Sequence, residues 1–168
     1  MTRCEVLVQR ARELGNENER IYGFCGQATI GAVMDTAGGI DPAVYKASTS
    51  LAGGACYACS ACGAYTGGIL CISSYAGRES SDRLDESGRR WTCNQLCRKL
   101  YDKFIETYGT ISCDGLQRFH VGRTFDLWIQ EEKDKFIALG SHDTICPSIC
   151  GNAAAWVVEI LFDAGYIS

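Results

Sequence analysis

Three cysteines recur at every third position in the glycine-rich stretch 53–77, as Cys56, Cys59 and Cys62. A Cys-x2-Cys-x2-Cys run can place three thiolates around one metal centre, and it matches the first three ligand positions of a bacterial iron–sulfur run. The fourth position does not match, because Cys71 follows Cys62 only after eight residues and has no proline behind it. On a helix that begins at Cys62, Cys71 lies about 180° away and is therefore assigned to the core. The run predicts an iron–sulfur centre whose fourth ligand comes from elsewhere in the chain, comes from a second subunit or is absent.

Cysteines also stand at predicted helix starts. Cys146 precedes Pro147 and is predicted to cap the last helix, where the helix dipole favours a thiolate and lowers the thiol pKa. Cys150 follows at i+4 and could face the same centre. Cys62 stands just ahead of another predicted helix start, so we expect it to be a good thiolate as well. Cys113, in TISCDGL, follows the end of a long helix, and we expect it to be exposed or at a junction.

The remaining cysteines fit a structural role as well as a ligand role. Cys25 shares one predicted helix face with small residues, which lets a neighbouring helix or a cofactor approach, and a buried structural cysteine is the alternative. Cys93 and Cys97 are spaced i and i+4, which can ligate metal, but they lie on the apolar stripe of a helix, where core packing is favoured. We hold these two in reserve and interpret Cys4 as a bystander.

Other chemistries have little support in the sequence. The two histidines, His120 and His142, lie in no zinc-binding or haem-attachment motif, and each is interpreted as a surface residue. The glycines lack the order of a dinucleotide or P-loop site, which argues against a nucleotide site. No sequence pattern singles out a Cys–His nucleophile pair.

The bulk composition places the chain among ordinary globular proteins, apart from its eleven cysteines in 168 residues. That count is odd and falls below the level of a disulfide scaffold, and the N-terminus lacks the apolar core of an export signal. We therefore expect a reducing, cytoplasmic location, in which dense cysteine indicates metal or redox chemistry. A net charge of −4 without a basic stripe argues against nucleic-acid binding, and no long uninterrupted apolar window predicts a membrane span.

Helical periodicity dominates the whole chain, and no segment shows strand alternation. We predict an all-α fold, a single-domain bundle of about six helices over residues 1–168, without an internal repeat or a linker. The clearest predicted helix is 91–108, where apolar residues recur at spacings of three and four before Gly109. The other predicted helices are 3–15, 22–37, 41–51, 62–75, 124–139 and a C-terminal helix after Cys146.

From about Tyr22 to Leu161 the chain resembles a family of redox-active proteins named for a C…CGAxxG…C…C pattern. The pattern matches, in order, Cys25 in FCGQATIGAV, the box Cys62-Gly63-Ala64-Tyr65-Thr66-Gly67, Cys113 in YGTISCDGL, and Cys146-Pro147. The resemblance implies a small helical cytoplasmic protein, often from anaerobes, with redox activity. A related domain accompanies haem in split-Soret cytochromes, where it is linked to an iron–sulfur centre. This chain lacks the haem-attachment sequence, so only the cluster part could carry over.

Our first hypothesis is an iron–sulfur protein, a possible oxidoreductase, that transfers electrons or performs reductive chemistry at a cluster. Five cysteines extend the simple four-cysteine pattern, which favours a 4Fe-4S or larger cluster, or more than one centre. The alternatives are a metal-free dithiol oxidoreductase or redox sensor, and a zinc- or copper(I)-binding protein. The sequence does not identify a redox partner protein. The surplus thiols are compatible with a homodimer that completes a site across its interface. The candidate ligands are Cys25, Cys56, Cys59, Cys62, Cys113, Cys146 and Cys150.

Overall fold

A computed structural model describes all 168 residues and contains eight α-helices, with one isolated antiparallel β-bridge between Ala61 and Ser112. The all-α prediction is confirmed, with eight helices rather than about six. The sequence predicts seven individual helical ranges, and the eighth helix lies after residue 109, where α6 and α7 form in place of the one helix predicted at 124–139. The helices are α1 Arg3–Tyr22, α2 Cys25–Ala37, α3 Pro42–Ala47, α4 Gly63–Ala76, α5 Arg89–Tyr108, α6 Cys113–Val121, α7 Gln130–Ala138 and α8 Cys146–Asp163.

The first helix continues well past Gly15, where we had predicted its end. Gly15 is buried because α8 crosses α1 at this point. A β-carbon built on Gly15 would lie 2.7 Å from the backbone oxygen of Cys150. The packing gain of this close crossing outweighs the low helix propensity of glycine. The helix ends instead at Gly23, whose positive φ of 67° turns the chain toward α2.

The box CGAxxG forms the crossing between α2 and α4. A β-carbon on Gly67 would lie 2.7 Å from the backbone oxygen of Gly26, and one on Gly63 would lie 3.0 Å from the backbone nitrogen of Gly26. Only glycine permits this backbone approach at the two positions of α4. The small residues predicted to admit either a backbone or a cofactor therefore admit the backbone of a neighbouring helix.

The last helix forms the centre of the core and packs against α1, α2, α4 and α5. A π-helical turn, Ser141–Ile145, leads directly into it. By length and composition alone, Ser141–Asp163 could cross a membrane, and 61% of its most apolar window is buried inside the protein. One such helix is weak evidence for a span, since the core helix of a globular protein has the same character. The absence of a membrane span stays a prediction.

Candidate redox site

Five cysteines from different parts of the chain line one cavity of about 330 Å³. Most of the other lining residues are apolar, and Glu19, Gln117, Lys133 and His142 are the polar exceptions. The thiols surround this space, and no three Cys, His, Asp or Glu side chains lie close enough together to hold a metal ion. The lining cysteines are Cys25, Cys62, Cys113, Cys146 and Cys150.

Four helices point their N-terminal ends at this cavity, and each end carries one of the cysteines. Cys25, Cys113 and Cys146 are the first residues of α2, α6 and α8, and Cys62 is the N-cap of α4. Helix N-termini carry partial positive charge and unpaired N–H groups, so they stabilise negative charge placed beside them. These helix ends favour negative charge in the cavity, whereas burial opposes it and raises the pKa of Cys62, Cys113, Cys146 and Cys150.

Backbone pairing between two distant loops positions three of the thiols. Around the Ala61–Ser112 bridge, the Cys62 N–H donates to the Ile111 carbonyl at 2.8 Å and the Cys113 N–H donates to the Ser60 carbonyl at 2.6 Å. This pairing brings the start of α6 beside the start of α4. It also brings Cys59 beside Cys113, because the Asp114 N–H donates to the Cys59 carbonyl at 3.1 Å.

The loop before Cys62 has a left-handed backbone. Positive φ angles occur at two glycines and at four other residues of this loop: Gly53, Gly54, Ala55, Cys56, Tyr57 and Cys59. A left-handed non-glycine residue costs about 1–3 kcal/mol, which the surrounding contacts must offset. The Cys59 N–H donates to the Gly53 carbonyl at 3.0 Å, and the Tyr57 ring packs edge-on against Trp128 at 5.6 Å. In this conformation Cys56 is exposed, and Cys62 lines the cavity whereas Cys56 and Cys59 do not.

Cys25 and Cys62 form a contacting pair of thiols. Hydrogen bonding from the Cys62 thiol lowers the pKa of Cys25, and the backbone N–H groups of Gly53 and Gly26 lower it further. Burial and the charge of Glu19 act in the opposite direction and raise this pKa. The same hydrogen bond, together with burial, raises the pKa of Cys62 well above its usual value. Our expectation that Cys62 is the good thiolate is therefore wrong for this pair, in which Cys25 carries the negative charge more easily.

Cys59 and Cys113 form a second contacting pair. The Cys113 thiol donates to Cys59, which lowers the Cys59 pKa to about 6 against burial, and the Cys113 pKa is raised by the same bond and by burial. The Gln117 side-chain amide lies 3.5 Å from Cys59 Sγ and 3.4 Å from Cys113 Sγ and donates toward both sulfurs. The Phe125 carbonyl, 3.4 Å from Cys59 Sγ, accepts from the protonated thiol and so opposes ionisation.

Cys146 and Cys150 lie on the first turns of α8 and face a buried carboxylate. Burial, Glu19 and Cys25 raise the pKa of Cys146 well above its usual value, which contradicts the lowered pKa expected of a helix cap. A π turn also precedes Cys146, whose backbone N–H donates to the Ser141 carbonyl, so the start of α8 is not a free helix end. The Cys150 thiol donates to Glu19 at 3.8 Å and to the Cys25 carbonyl at 3.6 Å.

Two polar residues of the site were missed by sequence reasoning. Glu19 is 2% exposed and contacts His142 Nδ1 at 3.4 Å, so His142 is a cavity residue rather than a plain surface residue. In the sequence, Glu19 could have been recognised because it follows Ala11 and Gly15 at spacings of four on one face of α1. That pattern is visible only if the helix continues past Gly15. Gln117 is also 2% exposed, and its only signal is the i+4 spacing from Cys113 on α6.

The other cysteines lie away from the cavity. Cys71 is fully buried in the core, as predicted, and Cys93 is buried with its sulfur 3.4 Å from Ser73 Oγ. Cys97 is beside Cys93, and burial and that neighbour raise its pKa to about 12. Cys4, at the start of α1, does not line the cavity either. These placements agree with core packing for Cys93 and Cys97.

The comparisons with known proteins identify the family. No curated protein and no solved structure matches the chain significantly. One family model matches residues 23–160, a span that contains all four helix starts at the cavity. The box written GCAxxG in the family label stands in this chain as Cys62-Gly63-Ala64-Tyr65-Thr66-Gly67. The chain belongs to the family described as Putative redox-active protein (C_GCAxxG_C_C).

Proposed function

We propose that the protein is an iron–sulfur redox protein whose cluster is held in the cavity by Cys25, Cys62, Cys113 and Cys146. The observation that carries this proposal is that four helix N-termini, each bearing a cysteine, meet at one cavity. The redox character of the family supports it. Cys150 also lines the cavity and is the available fifth thiol.

The residues present fit such a group in three respects. Thiolates are the ligands that iron–sulfur clusters use, and the cavity offers five of them. The five cysteines line a cavity of about 330 Å³, which has room for a group of several atoms rather than a single zinc or copper(I) ion. The N-terminal ends of α2, α4 and α6 favour the negative charge that thiolate ligation brings into an apolar site.

When bound, the cluster would supply reversible one-electron storage. The chain's own residues would bind and insulate it. The apolar walls, including Leu116, Phe136 and Ile149, exclude water and lower the local dielectric constant, which is one of the factors that set a reduction potential. Glu19 and His142, whose side chains are 3.4 Å apart in the cavity wall, form an ion pair when His142 is protonated.

The proposal is tested by purifying the full chain under strict anaerobic conditions, with reconstitution, and by measuring iron, sulfide and the visible absorption spectrum. We expect iron and sulfide together with charge-transfer absorption. Cys62→Ser should lose them, whereas Cys71→Ser should retain them, because Cys71 lies on the same helix but in the core. A protein that stays colourless and free of iron after anaerobic reconstitution would overturn the proposal. Zinc or copper in its place would favour the thiolate metal-binding alternative.

A metal-free dithiol oxidoreductase is the second candidate, and the close approach of Cys25, at the start of α2, to the Cys62–Gly63 start of α4 favours it. In that case mild oxidation of iron-free protein should join Cys25 to Cys62 in a reversible disulfide. Peptide mapping by mass spectrometry would detect the pair, and finding both cysteines still reduced would count against this candidate.

A cytoplasmic location and a homodimer remain predictions. Sedimentation of the anaerobically purified protein would measure the oligomeric state directly.

A further inference from the structure

The contacting pair Cys59 and Cys113 spans the wall between the interior cavity and the protein surface. Cys113 lines the cavity, whereas Cys59 lines a separate surface groove of about 570 Å³. Both sulfurs lie within 3.5 Å of one nitrogen, Gln117 Nε2, so the two thiols are direct neighbours. A reagent in the groove therefore meets Cys59 first, and Cys113 lies directly behind it. The groove is lined mainly by Tyr57, Cys59, Asp114, Arg118, Asp126 and Trp128.

Gln117 positions both sulfurs. Its side chain is buried, and its carbonyl oxygen is held by the Phe125 N–H at 2.8 Å, which turns the amide group toward the thiols. The amide then donates toward Cys59 and Cys113 at nearly equal distances, 3.5 and 3.4 Å. Donors of this kind stabilise a sulfur that carries negative charge during thiol exchange. Gln117 is thus a positioning residue.

The backbone of this region keeps the two thiols together. The Cys113 N–H donates to the Ser60 carbonyl and the Asp114 N–H donates to the Cys59 carbonyl, so the two segments are paired on both sides of the thiol contact. Cys59 itself has a left-handed backbone, with φ of 55°, a conformation that persists only where its surroundings over-determine it. The backbone pairing of the two segments therefore keeps Cys59 and Cys113 next to each other.

We propose that Cys59 and Cys113 form a thiol–disulfide exchange site that accepts an external disulfide, R–S–S–R, from the surface groove. Cys59 Sγ bonds to one sulfur of that disulfide, and the first R–S⁻ leaves and takes a proton. Cys113 Sγ then attacks Cys59 Sγ and displaces the second thiol. The protein loses two electrons and two protons, the external disulfide is reduced to two R–SH, and the product is a Cys59–Cys113 disulfide.

One consequence rests on the proposed function. Cys113 belongs both to this pair and to the proposed cluster site, so the disulfide would withdraw one thiolate from the cavity. The exchange site would then control cofactor binding by the thiol–disulfide state of the surroundings. The exchange reaction itself requires only the two cysteines and is measured on iron-free protein.

The test uses reduced, iron-free full-length protein, with glutathione disulfide as the probe and non-reducing peptide mapping by mass spectrometry as the readout. We expect the wild type to accumulate a Cys59–Cys113 cross-link. Cys113→Ser should stop at one glutathione on Cys59, and Cys59→Ser should lose both the cross-link and modification of Cys113. Cys56→Ser is the matched control, because Cys56 is an exposed cysteine of the same loop, and it should react like the wild type.

The lack of a Cys59–Cys113 cross-link in the wild type, or a different dominant cross-link, would overturn the inference. The peptide map of the wild-type protein gives this answer even if a serine variant does not fold. Circular dichroism shows whether each serine variant is folded. Iron and sulfide analysis separates the two proposals. A missing cross-link in a chain that binds iron refutes only the exchange site, and a cross-link in a chain that never binds iron refutes only the cluster.

Discussion

Gly63 provides the space that the sulfur of Cys25 occupies. A β-carbon built on Gly63 would overlap Cys25 Sγ, and it would also lie 2.8 Å from the backbone oxygen of Leu51. The glycine that follows Cys62 in the CGAxxG box therefore serves the thiol pair as well as the helix crossing. It lets Cys62 cap α4 while Cys25, at the start of α2, stays in contact with it.

We expect Gly63→Ala to destabilise the fold by about 1–3 kcal/mol, because the new methyl group must push apart packed backbone as well as the Cys25 thiol. The same change should lower the iron content after reconstitution. Urea unfolding measures the first effect and iron analysis measures the second. Gly31→Ala is the control, since a β-carbon there meets only side-chain ends, Asn18 Nδ2 at 3.3 Å and Tyr45 Cε2 at 3.5 Å. An alanine inside that helix should be neutral or stabilising. Equal stability of the two variants would contradict the account of Gly63.

Gln117→Met should destabilise the protein by about 1–3 kcal/mol, because the buried Phe125 N–H loses its acceptor. It should also slow the reaction of Cys59 with glutathione disulfide, since both sulfurs lose the amide donor. Urea unfolding and the rate of appearance of the cross-link are the two measurements. Gln9→Met, on the exposed face of α1, should change neither. A Gln117→Met protein with an unchanged exchange rate would show that Gln117 only packs.

Much of the site could be predicted because its cysteines stand where local signals are strong. Cys62 precedes a glycine-rich apolar helix and Cys146 precedes a proline, so both helix starts are readable from neighbouring residues. Burial of the Cys25 face and of Cys71 also follows from helical periodicity. The small residues near Cys25 predict that a neighbouring helix or a cofactor can approach, and α4 makes that approach.

What could not be predicted depends on contacts between distant segments. Gly15 carries a local stop signal, and only its packing against α8 keeps α1 helical and brings Glu19 into the cavity. The Cys59–Cys113 contact depends on pairing across the Ala61–Ser112 bridge. It also depends on a left-handed backbone at non-glycine residues, which intrinsic propensities disfavour.

The exchange site and the proposed cluster site should compete for Cys113. Wild-type protein pre-treated with glutathione disulfide and then freed of excess reagent should take up less iron than untreated protein, and reduction by dithiothreitol should restore uptake. Cys59→Ser should take up iron equally with and without the pre-treatment, because Cys113 then has no partner. Iron and sulfide content after anaerobic reconstitution is the measurement. Loss of uptake in Cys59→Ser after pre-treatment would place the sensitive thiols elsewhere in the cavity.

His142 and His120 should give stability opposite dependences on pH. The ion pair with Glu19 raises the pKa of His142 in the folded state against partial burial, so its contribution is present below about 6.5, the unfolded value, and is lost as the pH rises through the folded value. Burial lowers the pKa of His120, whose Nε2 has no hydrogen-bond partner, so protonation at low pH favours the unfolded chain.

We therefore expect His142→Gln to cost more stability at pH near 5.5 than near 8.5, these values lying about one unit below and two above the ordinary histidine pKa. His120→Gln should show the reverse trend, because the free energy of unfolding of the wild type relative to this variant should be smaller at the lower pH. Urea unfolding of iron-free wild type and both variants at the two pH values gives the differences, in which the titration of all shared groups cancels. His142 is 43% exposed on its side chain, so solvent screening reduces the size of its effect but not its sign. If the stability differences of both variants changed with pH in the same direction, the contact with Glu19 would not stabilise protonated His142.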